Sequence, residues 1–147
     1  MRKNFKVGQG DELICGGKVF DLHNKYDVSL LAVEADGDLQ LRFVPNSVHG
    51  LGGKALALAF TGVDYLEMCL GFGGEPASLD LEEVGYKEPS DRDVSWLQTE
   101  DQSDSLDHLF LRFQGEHFLR IHSEEAFLSD LPTGWRWLPD QKEVSRG

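Results

Sequence analysis

Leu109-Phe110-Leu111-Arg112-Phe113-Gln114-Gly115-Glu116-His117-Phe118-Leu119-Arg120-Ile121 is the stretch on which the fold turns. Apolar residues alternate on both sides of Gly115, the pattern of two strands that each bury one face. A three-residue loop at Gln114-Gly115-Glu116 sets Phe113 opposite His117, Leu111 opposite Leu119 and Leu109 opposite Ile121, so one face is almost wholly apolar. A two-residue loop would scatter the same residues over both faces. Glycine suits the loop because a residue there must take positive φ, where a Cβ clashes.

Two upstream stretches repeat the pattern. In Leu56 to Met68, the residues Leu56, Leu58, Phe60, Gly62, Tyr65, Leu66 and Met68 fall in step with the first stretch, which predicts a hairpin turning at Thr61-Gly62-Val63. In Leu31 to Phe43 a turn at Asp36-Gly37-Asp38 groups Leu31, Val33, Leu39, Leu41 and Phe43. Further upstream, Glu12 to Leu22 reads as a strand pair or one bent strand interrupted at Gly16-Gly17, with Leu13, Cys15, Val19 and Phe20 as core candidates. Two short helices are expected beside the strands. One starts at Ser90, with Asp91 and Asp93 in its first turn and Trp96 and Leu97 as anchors; the other runs from Ser123 to Leu131 and stops at Pro132. The predicted fold is mainly β (α+β): an antiparallel twisted sheet or two-layer sandwich built of three hairpins, in one domain spanning residues 1–147.

The chain carries a net charge of −12. That excludes a nucleic-acid backbone as partner, since phosphate binding needs clustered Lys and Arg to release counterions. No run approaches the roughly 20 apolar residues that span a bilayer, so no membrane partner is expected. Arg2, Lys3 and Lys6 precede no apolar run, and the two cysteines, Cys15 and Cys69, form no disulfide framework. Both are expected reduced and buried, in a cytoplasmic protein. The glycine-rich stretch Val44 to Gly53 reads as a loop without the strand, helix and Lys-Ser or Lys-Thr ending of a phosphate-binding loop.

The charge is concentrated. Residues Asp80 to Asp107 hold ten acidic side chains against Lys87 and Arg92, a net of −8 that is two thirds of the whole excess. This acidic loop and helix excursion lacks the alternating Asp/Asn order and closing Glu of a calcium loop. Its two readings are a solvated excursion and a recognition surface for a basic protein, with Asp91, Asp93, Glu100, Asp101 and Asp104 as contact residues. Trp135 and Trp137 alternate about Arg136 and could pack on the domain or form an aromatic contact. By the register of the last hairpin His108 faces His122, with Asp107 or Glu124 as oxygen donors nearby; the pair is the one weak metal candidate, and a third ligand is what it lacks. No Gly-x-Ser-x-Gly, His-Glu-x-x-His, Cys-x-x-Cys or Gly-x-Gly-x-x-Gly occurs, so no cofactor is expected.

A small, acidic, β-rich chain with hairpin repeats and no catalytic signature resembles in general form the immunity proteins with which bacteria neutralise toxin domains. That resemblance rests on form alone and implies inhibition by binding, the acidic segment covering a basic surface. The function expected is therefore non-catalytic binding of a basic partner. The alternatives are a β-barrel holding a small ligand in an apolar interior and a metal-dependent enzyme using the His pair.

Overall fold

The computed structural model describes residues 1–48, 53–69 and 80–131. Its centre is the expected hairpin of β9 (His108–Phe113) and β10 (His117–Asp130). The pairs are Phe113 with His117, Leu111 with Leu119 and Leu109 with Ile121, so the three-residue loop and its register are as read from the alternation. Gly115 has φ of 83° and the following Glu116 has φ of 64°, so the chain reverses through two left-handed residues. Leu109, Leu111, Phe113, Leu119 and Ile121 are all at or below 1 % exposed, and this is the face that carries the core.

The stretch around Gly62 is not a hairpin. Leu56–Cys69 is one 14-residue strand, β7, antiparallel to β10 along nearly its whole length. The predicted helix from Ser123 to Leu131 is likewise the second half of β10. One irregularity, a register shift between His122 and Ser123 that leaves Asp64 as an extra residue on β7, accounts for both misreadings. Along β10 the buried residues run Leu119, Ile121, Ser123 and then Ala126 and Leu128, so the two-residue alternation slips by one at Glu124. The resulting spacing of three mimics a helical period. Glu124 lies between the pairs Ser123–Val63 and Glu125–Thr61, which places Gly62 across from it. Gly62, at φ of 65°, supplies the local kink on the other strand, so the glycine that looked like a turn bends a continuous strand instead.

The remaining strands extend this pair into a curled sheet. β5 (Tyr26–Val33) and β6 (Leu39–Pro45) form the first hairpin, but its loop runs over five residues, Glu34 to Asp38, closed by Glu34 N–H donating to Asp38 O at 2.7 Å. Leu31 therefore faces Leu41 and Val33 faces Leu39, two residues out of the expected register yet on the same faces. With β8 (Leu81–Lys87) the order is β5-β6-β7-β10-β9-β8, and β1 (Arg2–Lys3) adds to β10 in parallel beyond the end of β9. β8 occupies the start of what the charge pattern presented as a loop excursion, and its inward residues Leu81, Val84 and Tyr86 are core.

A small sheet of β2 (Lys6–Val7), β3 (Glu12–Cys15) and β4 (Lys18–Asp21) packs against the curl. Gly16 and Gly17, both at positive φ, make its two-residue turn, in agreement with the interruption expected there. Leu13 and Phe20 are buried as expected, whereas Val19 is exposed. Val84 N–H donates to Gly10 O at 2.6 Å and His23 Nδ1 meets Leu81 O at 2.6 Å, joining the small sheet to β8. One apolar cluster then runs from Phe5, Leu13 and Leu22 through Phe43, Leu58 and Phe60 to Leu111 and Ile121. Both cysteines are free thiols, and Cys69 is exposed rather than buried because it lies at the outer end of β7. Among the described residues no helix is long and apolar enough to cross a membrane.

Candidate functional site

The face of the β9–β10 hairpin turned away from the core also sits beneath protein. Phe110 and Arg120 are completely buried there and His108 is 5 % exposed. The cover is the acidic ribbon from Glu88 to Thr99. No helix forms at Ser90, because the two Asp side chains prefer local turns: Asp91 Oδ1 accepts from Asp93 N–H at 2.8 Å, and Asp93 Oδ1 accepts from Ser95 N–H at 2.9 Å. The ribbon ends by pairing with β8, where Tyr86 and Gln98 exchange both backbone hydrogen bonds at 3.0 and 2.8 Å. Leu97 closes over Gly85, where a Cβ would stand 2.6 Å from that of Leu97. One short turn of 3-10 helix follows at Glu100–Gln102, with Gln102 Oε1 accepting from Thr99 N–H at 3.0 Å.

Three cations hold the ribbon down, and they do so chiefly through its backbone. Arg120 Nη1 donates to Asp91 O at 2.7 Å, and its Nη2 donates to Glu88 O at 2.7 Å and Pro89 O at 3.2 Å. Lys87, 0 % exposed, donates to Trp96 O at 2.7 Å, lies 3.9 Å from the centre of the Trp96 ring, and pairs with Asp91 Oδ2 at 3.0 Å. Arg112 donates to Val94 O and pairs with Glu83 at 3.3 Å. Its guanidinium covers the Phe110 ring at 5.4 Å, while Phe110 stacks on Phe118 at 5.1 Å. A buried charge is tolerable only when its hydrogen bonds are met, and main-chain carbonyls meet most of them here. The carboxylates of Glu82, Glu88, Asp93, Asp101 and Asp104 are thereby left on exposed residues, with Trp96 at 50 % exposure and Leu106 at 69 % among them.

Beneath the ribbon the two histidines come together as the register required, their ring centres 6.0 Å apart. His108 Nδ1 accepts from Arg120 Nε at 2.8 Å, which fixes it as the unprotonated nitrogen of a neutral ring. Burial, then Arg120 and His122, hold the His108 pKa below its ordinary value. The same ring stacks on Tyr65 of β7 at 4.2 Å. His122 has oxygens at both nitrogens, Asp64 Oδ1 at 2.7 Å from Nδ1 and Ser105 O at 3.1 Å from Nε2. At the rim Glu67 receives Arg92 in two parallel bonds, at 3.0 and 2.7 Å, and the Tyr65 hydroxyl at 2.8 Å. Arg92 first of all, with Tyr65 after it, outweighs burial and holds the Glu67 carboxyl below its usual range.

The weak metal candidate, His108 with His122, gathers no third ligand among the described residues. Among the described residues no three His, Cys, Asp or Glu side chains are placed to hold a metal ion. Both nitrogens of His122 are occupied, Asp107 is turned to Asp104 N–H at 3.0 Å, and Glu124 lies against Gly62. His108 is buried, because residues 88–99 fold over it, and no local pattern around His108 announces that cover.

The acidic candidates divide. Glu100 is an internal tie: Oε1 accepts from Val7 N–H and Tyr86 Oη, both at 2.7 Å, and Oε2 from Lys3 Nζ at 3.0 Å. Burial raises its pKa, but these donors prevail and hold the carboxyl below the usual range, while burial and Glu100 push the Tyr86 hydroxyl up. Asp91 is spent partly on Lys87. Asp93 and Asp104 cap turns through one oxygen while remaining on exposed residues, and Asp101 is fully on the surface. Trp135 and Trp137 lie outside the described residues, as do Pro132 and residues 49–52 of the glycine-rich loop.

Comparison with protein-family models, with curated proteins and with solved structures found no match. Arg120 and Lys87, which hold the ribbon down, are not among the site candidates read from the sequence. Their one visible signal is position: each falls on an outward-facing strand site whose cover is set by the tertiary fold.

Proposed function

We propose that the protein is a non-catalytic binding module whose acidic face, the ribbon of residues 88–99 with Asp101 and Asp104 beyond its end, recognises a basic protein surface, in the manner of an immunity-type inhibitor. The observation that supports this reading is how the charges are spent. Arg120, Lys87 and Arg112 anchor the ribbon through the carbonyls of Glu88, Pro89, Asp91, Val94 and Trp96, so its shape is set while the Glu88, Asp93, Asp101 and Asp104 side chains are left to the surface. A surface held in place before binding loses less conformational entropy on association than a mobile loop would. Complementary charge steers a basic partner to it and makes capture sensitive to salt. Trp96, half exposed beside these acids, is the kind of aromatic anchor that carries binding energy.

The test is affinity capture from lysate of the source cell with the intact protein and with an E88Q/D93N/D101N/D104N variant. These amides are isosteric and keep an oxygen for the turn caps, and Glu100 is left untouched because it ties the N-terminal strand to β8. A basic protein held by the intact form at low salt, released at moderate salt and not held by the variant is the expected result. Equal retention by both forms, or none by either, overturns the reading.

A further inference from the structure

Arg120 is completely buried and, among the described residues, takes part in no ion pair with a carboxylate. Its hydrogen bonds go to neutral acceptors, three carbonyls of the ribbon and the bare Nδ1 of His108, while the Glu67 carboxylate acts on it from a distance and the Tyr65 ring lies 5.9 Å away. The His108 acceptor can be lost by a single proton.

We propose that the His108–Arg120 contact is a proton-sensitive latch on the acidic ribbon, closed when His108 is neutral and opened when His108 takes a proton from solvent at Nδ1. Protonation removes the acceptor of Arg120 Nε–H and sets two cations where the two nitrogens are 2.8 Å apart. Arg120 must then shift, and with it go the hydrogen bonds to Glu88, Pro89 and Asp91 that hold residues 88–91 on the sheet.

The surroundings of His108 decide whether the switch falls in a useful range. From β10 it faces Arg120 and His122, both of which oppose a further positive charge on it. From β7 come Asp64, which favours the charge, and Tyr65, which stacks on the ring without neutralising it; Glu67 at the rim is engaged by Arg92. Asp107 precedes it and favours the charge, but its carboxylate is bonded to Asp104 N–H. From β8 the register partner is Lys87, a third cation, bound to Asp91. The repulsive groups prevail together with burial, so the latch stays shut at neutral pH and opens on acidification.

The inference deepens the binding reading, because the ribbon it releases is the proposed contact surface, yet its test needs no partner. Hydrogen exchange of the backbone amides of residues 88–96, expressed as protection relative to the unfolded rate at each pH, is followed from about pH 7.5 to about pH 5. In the intact protein protection of this segment is expected to fall by roughly tenfold or more while the β9–β10 amides at Leu111 and Leu119 hold theirs. H108N, whose side-chain oxygen takes the place of Nδ1 but does not titrate in this range, is expected to keep its protection throughout. H122N is expected to keep the transition. Protection that is unchanged in the intact protein, or lost equally in H108N, or made pH-independent by H122N, overturns the latch. Imidazole nitrogen shifts of the intact protein give a second reading that does not depend on any variant folding: His108 must gain its proton over the same pH interval in which the ribbon loses protection, and a separation of the two overturns the proposal. Partner affinity that fails to change while the ribbon opens would count against the binding reading alone.

Discussion

Gly62 and Glu124 face each other in the long β7–β10 pair, just past the register shift at His122 and Ser123, and a Cβ built on Gly62 would stand 2.8 Å from the Glu124 carboxylate. Two independent reasons therefore keep this position glycine: the left-handed φ of 65° and the lack of room. Gly62→Val is expected to cost about 2 kcal/mol or more, combining the penalty of a left-handed β-branched residue with displacement of a neighbour. Urea unfolding measures it. Pairing G62V with E124A should recover only the part of the loss due to the carboxylate, because the Cβ of residue 124 still stands 2.9 Å from the added one and the backbone part is untouched.

Arg120→Lys keeps the charge and removes the fork. Lys cannot reach His108 and three carbonyls at once, so at least one buried acceptor loses its donor, at about 1–3 kcal/mol for each. The variant is expected to be destabilised by about 2–4 kcal/mol, and its loss should concentrate in exchange protection of residues 88–91, the segment Arg120 holds. A loss spread evenly over the sheet would assign Arg120 to general packing instead.

Leu111 is 0 % exposed at the centre of the core face, paired with Leu119. Leu111→Ala is expected to cost about 2–5 kcal/mol in chemical denaturation. A change within half a kcal/mol of zero would contradict the inward assignment of this face.

The Glu100 carboxyl is held below its ordinary value of 4.5. A group whose folded pKa is depressed stabilises the fold above its unfolded pKa, and that stabilisation drains away as the pH falls through the folded value. The stability gap between the intact protein and Glu100→Gln should accordingly be full at neutral pH and shrink steadily below about pH 4.5, closing once both Glu100 states are protonated. Parallel acid titrations of thermal unfolding test this. Because the carboxylate ties Val7 and Lys3 to Tyr86, the missing stability at neutral pH should show first as loosening of the N-terminal strands.

The sequence alone determined the β9–β10 hairpin, its three-residue loop, its register and its core face, since alternation about a glycine is a purely local signal. It likewise determined the strand-rich class, the concentration of acid between Asp80 and Asp107 and the interruption at Gly16-Gly17, though not whether that interruption is a bend or a turn. What only the tertiary structure decided was where the regular pattern breaks. Gly62 could serve a turn or a kink, and the spacing of Ser123 and Ala126 could serve a helix or a slipped strand; the choice was made by the pairing of the 14-residue strands β7 and β10, whose partners run from Cys69 with Phe118 to Leu56 with Asp130 and lie far apart in the chain. The fate of the outward charges was decided in the same way. Arg120, His108 and Lys87 sit on strand positions that face away from the core, and nothing local to them tells of the ribbon that folds over them. Burial is a property of what arrives from elsewhere in the chain, and with it came the hydrogen bonds that made Arg120 and Lys87 anchors of the acidic ribbon and His108 the partner of Arg120.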